Sequence, residues 1–130
     1  MTVQTASLTI VTSRLDEARR FYAAHFSAQV TFDCGWYVVL RLSGPDGPEL
    51  CLMEPRHGMP EFSGGATLNL RVADVDATHE RLVRNGLAPS MPLGDHPWGD
   101  RGFAVEDPCG MRLYIYHPIA PSEEFKQYHR

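Results

Sequence analysis

The sequence repeats one pattern of secondary-structure signals about sixty positions apart. Residues 7–11 and 67–71 both alternate large aliphatic side chains with small or polar ones, which is the period of a half-buried β-strand. A helical pattern follows each of these segments, and three further strand-like segments follow each helix. The chain is therefore predicted to contain two βαβββ modules.

Each predicted helix has recognisable ends. Ser13 is the expected N-cap of the first helix, which should begin near Arg14, and Asp74 is the expected N-cap of the second. Gly86 is a stop signal for the second helix, because glycine readily adopts the left-handed conformation that ends helices. The apolar stripes expected to face the sheets are Leu15, Ala18, Phe21, Tyr22 and Phe26, then Val75, Thr78, Leu82 and Val83.

The predicted strands after the helices lie at 29–32, 36–42, 49–53, 89–93, 102–106 and 111–116. A module of about 50 residues has one helix, which cannot cover both faces of a four-stranded sheet. We therefore expect a single α+β domain over residues 1–130, in which two modules share a cleft lined by mixed sheet. The modules should span about 5–54 and 66–117, with a linker at 55–65 and a tail at 118–130.

Composition argues against several classes of partner. The net charge is −4 and the basic residues form no run, so no nucleic-acid surface is expected. No stretch approaches the roughly 20 apolar residues that span a bilayer, so no membrane contact is expected. The three cysteines are widely spaced, which argues against a disulfide framework or a zinc site. Because no signal-peptide pattern is present, we expect a cytoplasmic protein.

Three local motifs resemble those of a known superfamily. Residues 8–22 resemble an opening strand with a helix that ends in Phe-Tyr, and residues 69–76 resemble the turn that opens a second module. Residues 97–110 resemble a Pro-Trp-Gly segment that leads to Asp-Pro-x-Gly. In this order and spacing, over residues 6–117, the motifs are similar to those of the vicinal-oxygen-chelate superfamily, in its glyoxalase and bleomycin-resistance group. The resemblance implies paired βαβββ modules.

The same resemblance points to a metal-free branch of that superfamily. Its metal-dependent members use His or Glu on the first and last strands of the modules, and the corresponding residues here are Ser7, Cys51, Thr67 and Tyr114. This set lacks the imidazole and carboxylate donors that octahedral Fe, Ni or Mn sites require. A register shift of two residues would add only Glu49 as a carboxylate and no histidine. No metal, cofactor or catalytic residue is therefore assigned.

Strand alternation predicts which side chains pack under the helices and which line the cleft. The expected core residues are Leu8, Ile10, Leu50, Leu52, Leu68, Leu70, Leu113 and Ile115. The expected ligand-binding residues are Ser7, Phe32, Trp36, Cys51, Met53, Thr67, Asn69, Trp98, Arg101, Phe103, Tyr114 and Tyr116. Aromatic walls with a few polar groups suit a flat, largely apolar small molecule.

The leading hypothesis is a homodimer that sequesters an aromatic or antibiotic-like ligand, as the bleomycin-resistance resemblance implies. A lyase, isomerase or dioxygenase acting on a small carbonyl or aromatic substrate remains an alternative. So does a metal-independent enzyme with Glu49 or Tyr114 as its acid or base, or a module that binds no ligand. The six histidines are scattered, and His96 is the one expected to approach the cleft most closely.

Overall fold

The computed structural model describes all 130 residues and divides them into two compact units. The first consists of Met1–Gly64 with Pro108–Gly110, and the second of Gly65–Asp107 with Met111–Arg130. The boundary falls in the predicted linker at 55–65. Each unit contains one βαβββ module, so the repeat and the α+β class predicted from the sequence are confirmed. That the two modules form one domain stays a prediction.

The first unit is a four-stranded mixed sheet with one long helix. Its elements are β1 (Leu8–Val11), α1 (Leu15–Phe26), β2 (Gln29–Asp33), β3 (Tyr37–Arg41) and β4 (Glu49–Met53). The strands are ordered β1-β4-β3-β2, with β1 parallel to β4 and the other neighbours antiparallel. The helix-facing residues Ile10, Leu50 and Leu52 are at most 1% exposed, as predicted, whereas Leu8 at the start of the edge strand is 43% exposed.

The start of α1 differs from the sequence prediction. Ser13 does not cap the helix, because its backbone N–H and its hydroxyl both donate to one carboxylate oxygen of Glu61, at 2.6 Å each. The Arg14 N–H instead donates to the Thr12 hydroxyl at 3.0 Å. Arg14 itself is the N-cap residue, and its guanidinium has no acceptor with which to cap the helix. Glu61 lies in the linker, so the prediction missed a contact with a residue 48 positions away.

The second unit repeats the same topology. Its elements are β5 (Thr67–Arg71), α2 (Val75–Arg84), β6 (Met91–His96), β7 (Asp100–Glu106), β8 (Arg112–Pro118) and the short α3 (Glu123–Lys126). The strands are ordered β5-β8-β7-β6, and β5 is parallel to β8. No helix of the chain has both the length and the apolar character needed to cross a membrane.

Both ends of α2 lie where the local sequence signals predicted them. The Asp74 carboxylate accepts a hydrogen bond from the Ala77 N–H at 3.1 Å, which confirms the predicted N-cap. Gly86 has a φ of 94°, a left-handed conformation that favours glycine where the chain leaves the helix. Val75 and Leu82 are fully buried, but Val83 is 44% exposed and lies outside the packed stripe. Leu113 and Ile115 are fully buried, while Leu68 and Leu70 are only half-buried.

The chain after β8 folds back on the turn between β6 and β7. The Ile119 N–H donates to the Gly99 carbonyl at 2.9 Å, and the Ser122 N–H donates to the Pro97 carbonyl at 2.8 Å. The His129 side chain donates to the Trp98 carbonyl at 2.9 Å. The tail thus holds this turn through three consecutive carbonyl groups.

Candidate functional site

Four rings form a continuous row on the second sheet, which we call the aromatic face. Trp98 and His96 stack in parallel, with centroids 4.5 Å apart and ring planes 3° apart. His96 lies 6.2 Å from Tyr114, and Tyr114 stacks on Tyr116 at 5.8 Å. Tyr114 pairs with Asn69 and with Ala104 across the sheet, so the row crosses the middle of the second unit.

A carboxylate fixes three of these four rings. Asp100 accepts hydrogen bonds from the Trp98 indole N–H at 2.7 Å and from the Tyr114 hydroxyl at 2.5 Å. The same oxygen that faces Tyr114 lies 2.9 Å from His96 Nδ1. The His96 and Asp100 side chains are only 13% and 15% exposed. Burial and the nearby Asp100 charge raise the pKa of Tyr114 far above its ordinary value, so the phenol keeps its proton.

Gly102 leaves the space that the Tyr114 side chain occupies. A Cβ atom at this position would lie 2.7 Å from the Tyr114 hydroxyl oxygen and 2.8 Å from the Ile115 carbonyl oxygen. Both distances are shorter than real Cβ contacts allow, and the second involves backbone of the neighbouring strand. The position of Tyr114 therefore depends on a glycine in β7.

Two predicted ligand residues, Arg101 and Phe103, lie on the opposite face. Arg101 donates to Asp76 of α2 at 2.7 Å and to Asp95 at 3.0 Å. Phe103 is fully buried and packs edge-on against His79 of α2, with centroids 4.8 Å apart. The strand was predicted to begin at residue 102, whereas β7 begins at Asp100. In the register of β7 with β8, Arg101 pairs with His117, and both side chains face the helix. Both residues are removed from the candidate site.

Replacing Arg101 with glutamine tests this correction. The Arg101 hydrogen bond lowers the pKa of Asp76 below its ordinary value of 3.8. This contribution to stability is present above the unfolded-state pKa and is lost as the pH falls through the folded-state pKa. In Arg101→Gln we expect the pKa of Asp76 to rise towards its ordinary value, measured by NMR titration of the side-chain carboxyl carbon.

Asp33 is an internal control for that titration. Its pKa is lowered by the Gly35 backbone N–H and by Arg19, both in the first unit, and it should not change in Arg101→Gln. Ligand affinity should also stay within about twofold, because Arg101 does not contact the aromatic face. A large loss of ligand affinity in Arg101→Gln would show that Arg101 takes part in binding after all.

The predicted ligand-binding residues of the first unit differ widely in how exposed they are. Phe32 and Trp36 are 52% and 38% exposed, and the Arg56 guanidinium lies 4.0 Å over the Trp36 ring. Met53, at the end of β4, is half-buried. Cys51, by contrast, is only 2% exposed, so it is not open to a ligand. Ser7 precedes β1 and is exposed, with no place in the strand register.

Sequence reasoning missed Tyr37 in the first unit. This residue pairs with Met53, and its hydroxyl lies 2.9 Å from the Thr9 hydroxyl. The hydrogen bond with Cys51 is the largest of the effects that raise the pKa of Tyr37. The prediction chose the neighbouring Trp36, because it began the strand one residue early. Tyr37 faces the same side of the sheet as Met53, so a strand predicted to begin at Tyr37 would have included it among the candidate site residues.

The residues at the family's metal positions do not fit a metal ion. A metal ligand must give up its proton, and the environment of Tyr114 raises the pKa of its phenol. Thr67 is an exposed hydroxyl, and its partner on β8 is Arg112, whose cation lies 5.9 Å from the Tyr114 ring. In the first unit, Cys51 is the only soft donor at these positions and Ser7 precedes the strand. The four side chains include no imidazole and no carboxylate, so they are a poor set of ligands for a divalent metal ion.

A shallow cavity of about 560 Å³, wide open to solvent, lies at the carboxyl ends of the parallel strands β5 and β8. Its lining residues are Arg71, Val72, Ala73, His117 and Pro118. Arg71 pairs with Tyr116, so the cavity adjoins the end of the aromatic face. Its volume lies within the range of roughly 300–1,000 Å³ that is usual for small-molecule pockets.

Comparison with known proteins agrees with this topology. Residues 4–115 match the profile of the Glyoxalase/Bleomycin resistance protein/Dioxygenase superfamily. The chain belongs to this superfamily. An uncharacterised protein of Mycobacterium bovis is 32% identical over 91 residues, which is 64% of this chain and 59% of the relative. The chain therefore matches less than two thirds of that relative's length.

Two solved structures from Streptomyces sp. CB03234 share the superfamily fold. TnmS3, described as an antibiotic binding protein, has a TM-score of 0.74 and 26% identity, covering 91% of this chain and 98% of that one. A glyoxalase/bleomycin resistance protein has a TM-score of 0.65 and 27% identity, covering 84% and 96%. The fold expected from the sequence motifs is thus confirmed.

The structure also brings together residues that the sequence did not connect. His96 and Asp100 are cross-strand partners of the β6–β7 hairpin, and both contact Tyr114 on β8. A histidine and an aspartate four positions apart around a Pro-Trp-Gly turn would have indicated this pairing. Trp98, Tyr114 and Tyr116, three of the predicted ligand-binding residues, lie together on the aromatic face, and their role in binding stays a prediction.

Proposed function

We propose that this superfamily member binds a flat, largely apolar small molecule, aromatic or antibiotic-like, and releases it unchanged. The observation that carries this proposal is the row of four rings on the aromatic face. Trp98 is 43% exposed and Tyr116 is half-buried, so aromatic surface remains for a ligand to cover. Ring stacking contributes about 0.5–1.5 kcal/mol beyond the burial of apolar area.

The polar groups beneath the rings also favour binding. Asp100 holds Trp98 and Tyr114 in place, and pre-organised rings lose little entropy when a ligand binds. The adjoining cavity offers space of the volume that small molecules occupy. The likeness to TnmS3, an antibiotic binding protein, supports the same class of ligand.

Catalysis has less support in the residues present. Glu49 forms an ion pair with Arg41 at 3.0 Å, and the Tyr114 hydroxyl donates its hydrogen bond to Asp100. Neither is poised as a general base. The Cys51 thiol donates to Glu49 at 3.6 Å, but this thiol is buried and the carboxylate is held by Arg41. A lyase, isomerase or dioxygenase activity would nevertheless become the leading function if a bound compound were converted.

Native mass spectrometry of the purified protein, followed by denaturing analysis of released compounds, tests this proposal. We expect a homodimer that carries or accepts one class of intact aromatic compound and no stoichiometric metal. Release of a chemically altered compound would contradict the binding function. A stoichiometric divalent ion would contradict the metal-free assignment. A monomer would contradict the expected homodimer but not the binding function.

A further inference from the structure

The contacts of His96 determine which of its ring nitrogens carries the proton. Nδ1 lies 2.9 Å from an Asp100 carboxylate oxygen and 2.9 Å from the Tyr114 hydroxyl oxygen. The Tyr114 hydroxyl has one proton, and its shortest contact is the 2.5 Å bond to that same Asp100 oxygen. If Nδ1 had no proton, its lone pair would face a carboxylate lone pair at hydrogen-bond distance. The neutral ring is therefore protonated on Nδ1.

Protonation on Nδ1 leaves a lone pair on Nε2. No group of the chain donates a hydrogen bond to this atom, which remains accessible from outside although the side chain as a whole is only 13% exposed. Trp98 covers one face of the ring and fixes its plane. A rigid acceptor without a partner at a site of low exposure gains most from a donor on the ligand.

The groups around His96 leave its Nε2 as an acceptor for the ligand. Asp100 is held by Trp98 and Tyr114, and the other nearby acid, Asp95, is paired with Arg101 on the opposite face. Strand β8 contributes Tyr116 to the row of rings, and beside the row the Arg112 guanidinium donates to the Met91 sulfur. The tail contributes His129, which is bonded to the Trp98 carbonyl.

We propose that His96 Nε2 accepts a hydrogen bond from a hydroxyl group of the ligand, so that the site selects phenolic aromatic compounds. This inference rests on the proposed binding function, because it names the ligand class of the same aromatic face. Asp100 acts as a positioning residue, since it holds the proton on Nδ1 without touching the ligand. Both the tautomer of His96 and the selectivity then depend on one carboxylate.

The tautomer is measured on the ligand-free protein by long-range ¹H–¹⁵N NMR, at a pH where the ring is neutral. We expect wild-type His96 to carry its proton on Nδ1. In Asp100→Asn, the Trp98 indole can only donate, so the amide oxygen must face it and the amide NH₂ must face His96. The proton then moves to Nε2. Asp95→Asn removes the same charge on the opposite face and should leave the tautomer unchanged. A wild-type ring protonated on Nε2 overturns the inference.

Ligand selectivity is measured by calorimetry with two probes, 2-hydroxyanthraquinone and 2-methoxyanthraquinone. We expect wild type and Asp95→Asn to prefer the hydroxyl compound by about 3- to 10-fold, the value of one hydrogen bond. Asp100→Asn should lose this preference while still binding the methoxy compound. Equal affinities in wild type would overturn the inference and leave the proposed function standing. Binding of neither probe would overturn the proposed function for aromatic compounds, and the ligand class with it.

Discussion

Replacing Gly102 with alanine is expected to destabilise the second unit by about 2 kcal/mol, within the usual cost of overpacking. The added methyl group would overlap both the Tyr114 hydroxyl and the Ile115 carbonyl. Tyr114 can swing away only by breaking its bonds to Asp100 and His96, and the carbonyl can move only if β8 shifts. We therefore expect both a lower midpoint in urea unfolding and a loss of ligand affinity.

Gly94 provides the matched control for this change. It pairs with Gly102 across β6 and β7, and a Cβ atom there meets no other atom within 4 Å. Gly94→Ala should change the free energy of unfolding by less than about 0.5 kcal/mol, as is typical of substitutions that disturb no contact. If the two alanine variants unfold alike, the close approach of Tyr114 to β7 does not constrain the protein.

Replacing Trp98 with alanine is expected to weaken binding of an aromatic ligand by about 30-fold, which corresponds to roughly 2 kcal/mol for a buried tryptophan contact. The change removes the most exposed ring of the aromatic face and the indole N–H that holds Asp100. Equilibrium dialysis against the probe that binds best measures the loss. The free energy of unfolding should change far less, because Trp98 is 43% exposed.

Two further variants separate the causes of that loss. Trp98→Phe keeps a ring over His96 but cannot donate to Asp100, so an intermediate affinity indicates that stacking and positioning both contribute. Trp36→Ala removes the corresponding exposed ring of the first unit. Full binding by Trp98→Ala together with weak binding by Trp36→Ala would move the ligand site from the aromatic face to the first unit.

Features that depend on local spacing were predictable from the sequence. The individual strands and helices of the two βαβββ modules, the N-cap Asp74 and the helix stop at Gly86 all follow from residues within a few positions of one another. Short motifs of this kind also carry the resemblance to the superfamily to which the chain belongs. Most of the predicted core is buried for the same reason, since alternation within a strand is a local property.

Features that depend on strand ends and on distant pairing were not predictable. Successive residues of a strand face opposite ways, so an error of one residue at a strand start exchanges the two faces. Such an error led to the choice of Trp36 over Tyr37. Arg101 was assigned to the cleft as a residue outside the predicted strand, whereas β7 includes it and turns its side chain to the helix side. The contact of Ser13 with Glu61 and the joint contacts of Asp100 require pairings between distant parts of the chain.

The parallel pairing in each sheet has a consequence for the order of folding. In each module the first strand pairs with the last, so Asn69 meets Tyr114 only after more than forty intervening residues have been made. Long-range pairing of this kind forms slowly, because loop closure costs entropy before any contact offsets it. On the ribosome, the first module can close its sheet well before the second. The aromatic face, whose central tyrosine lies on β8, is completed only after every other strand of the second module has been made.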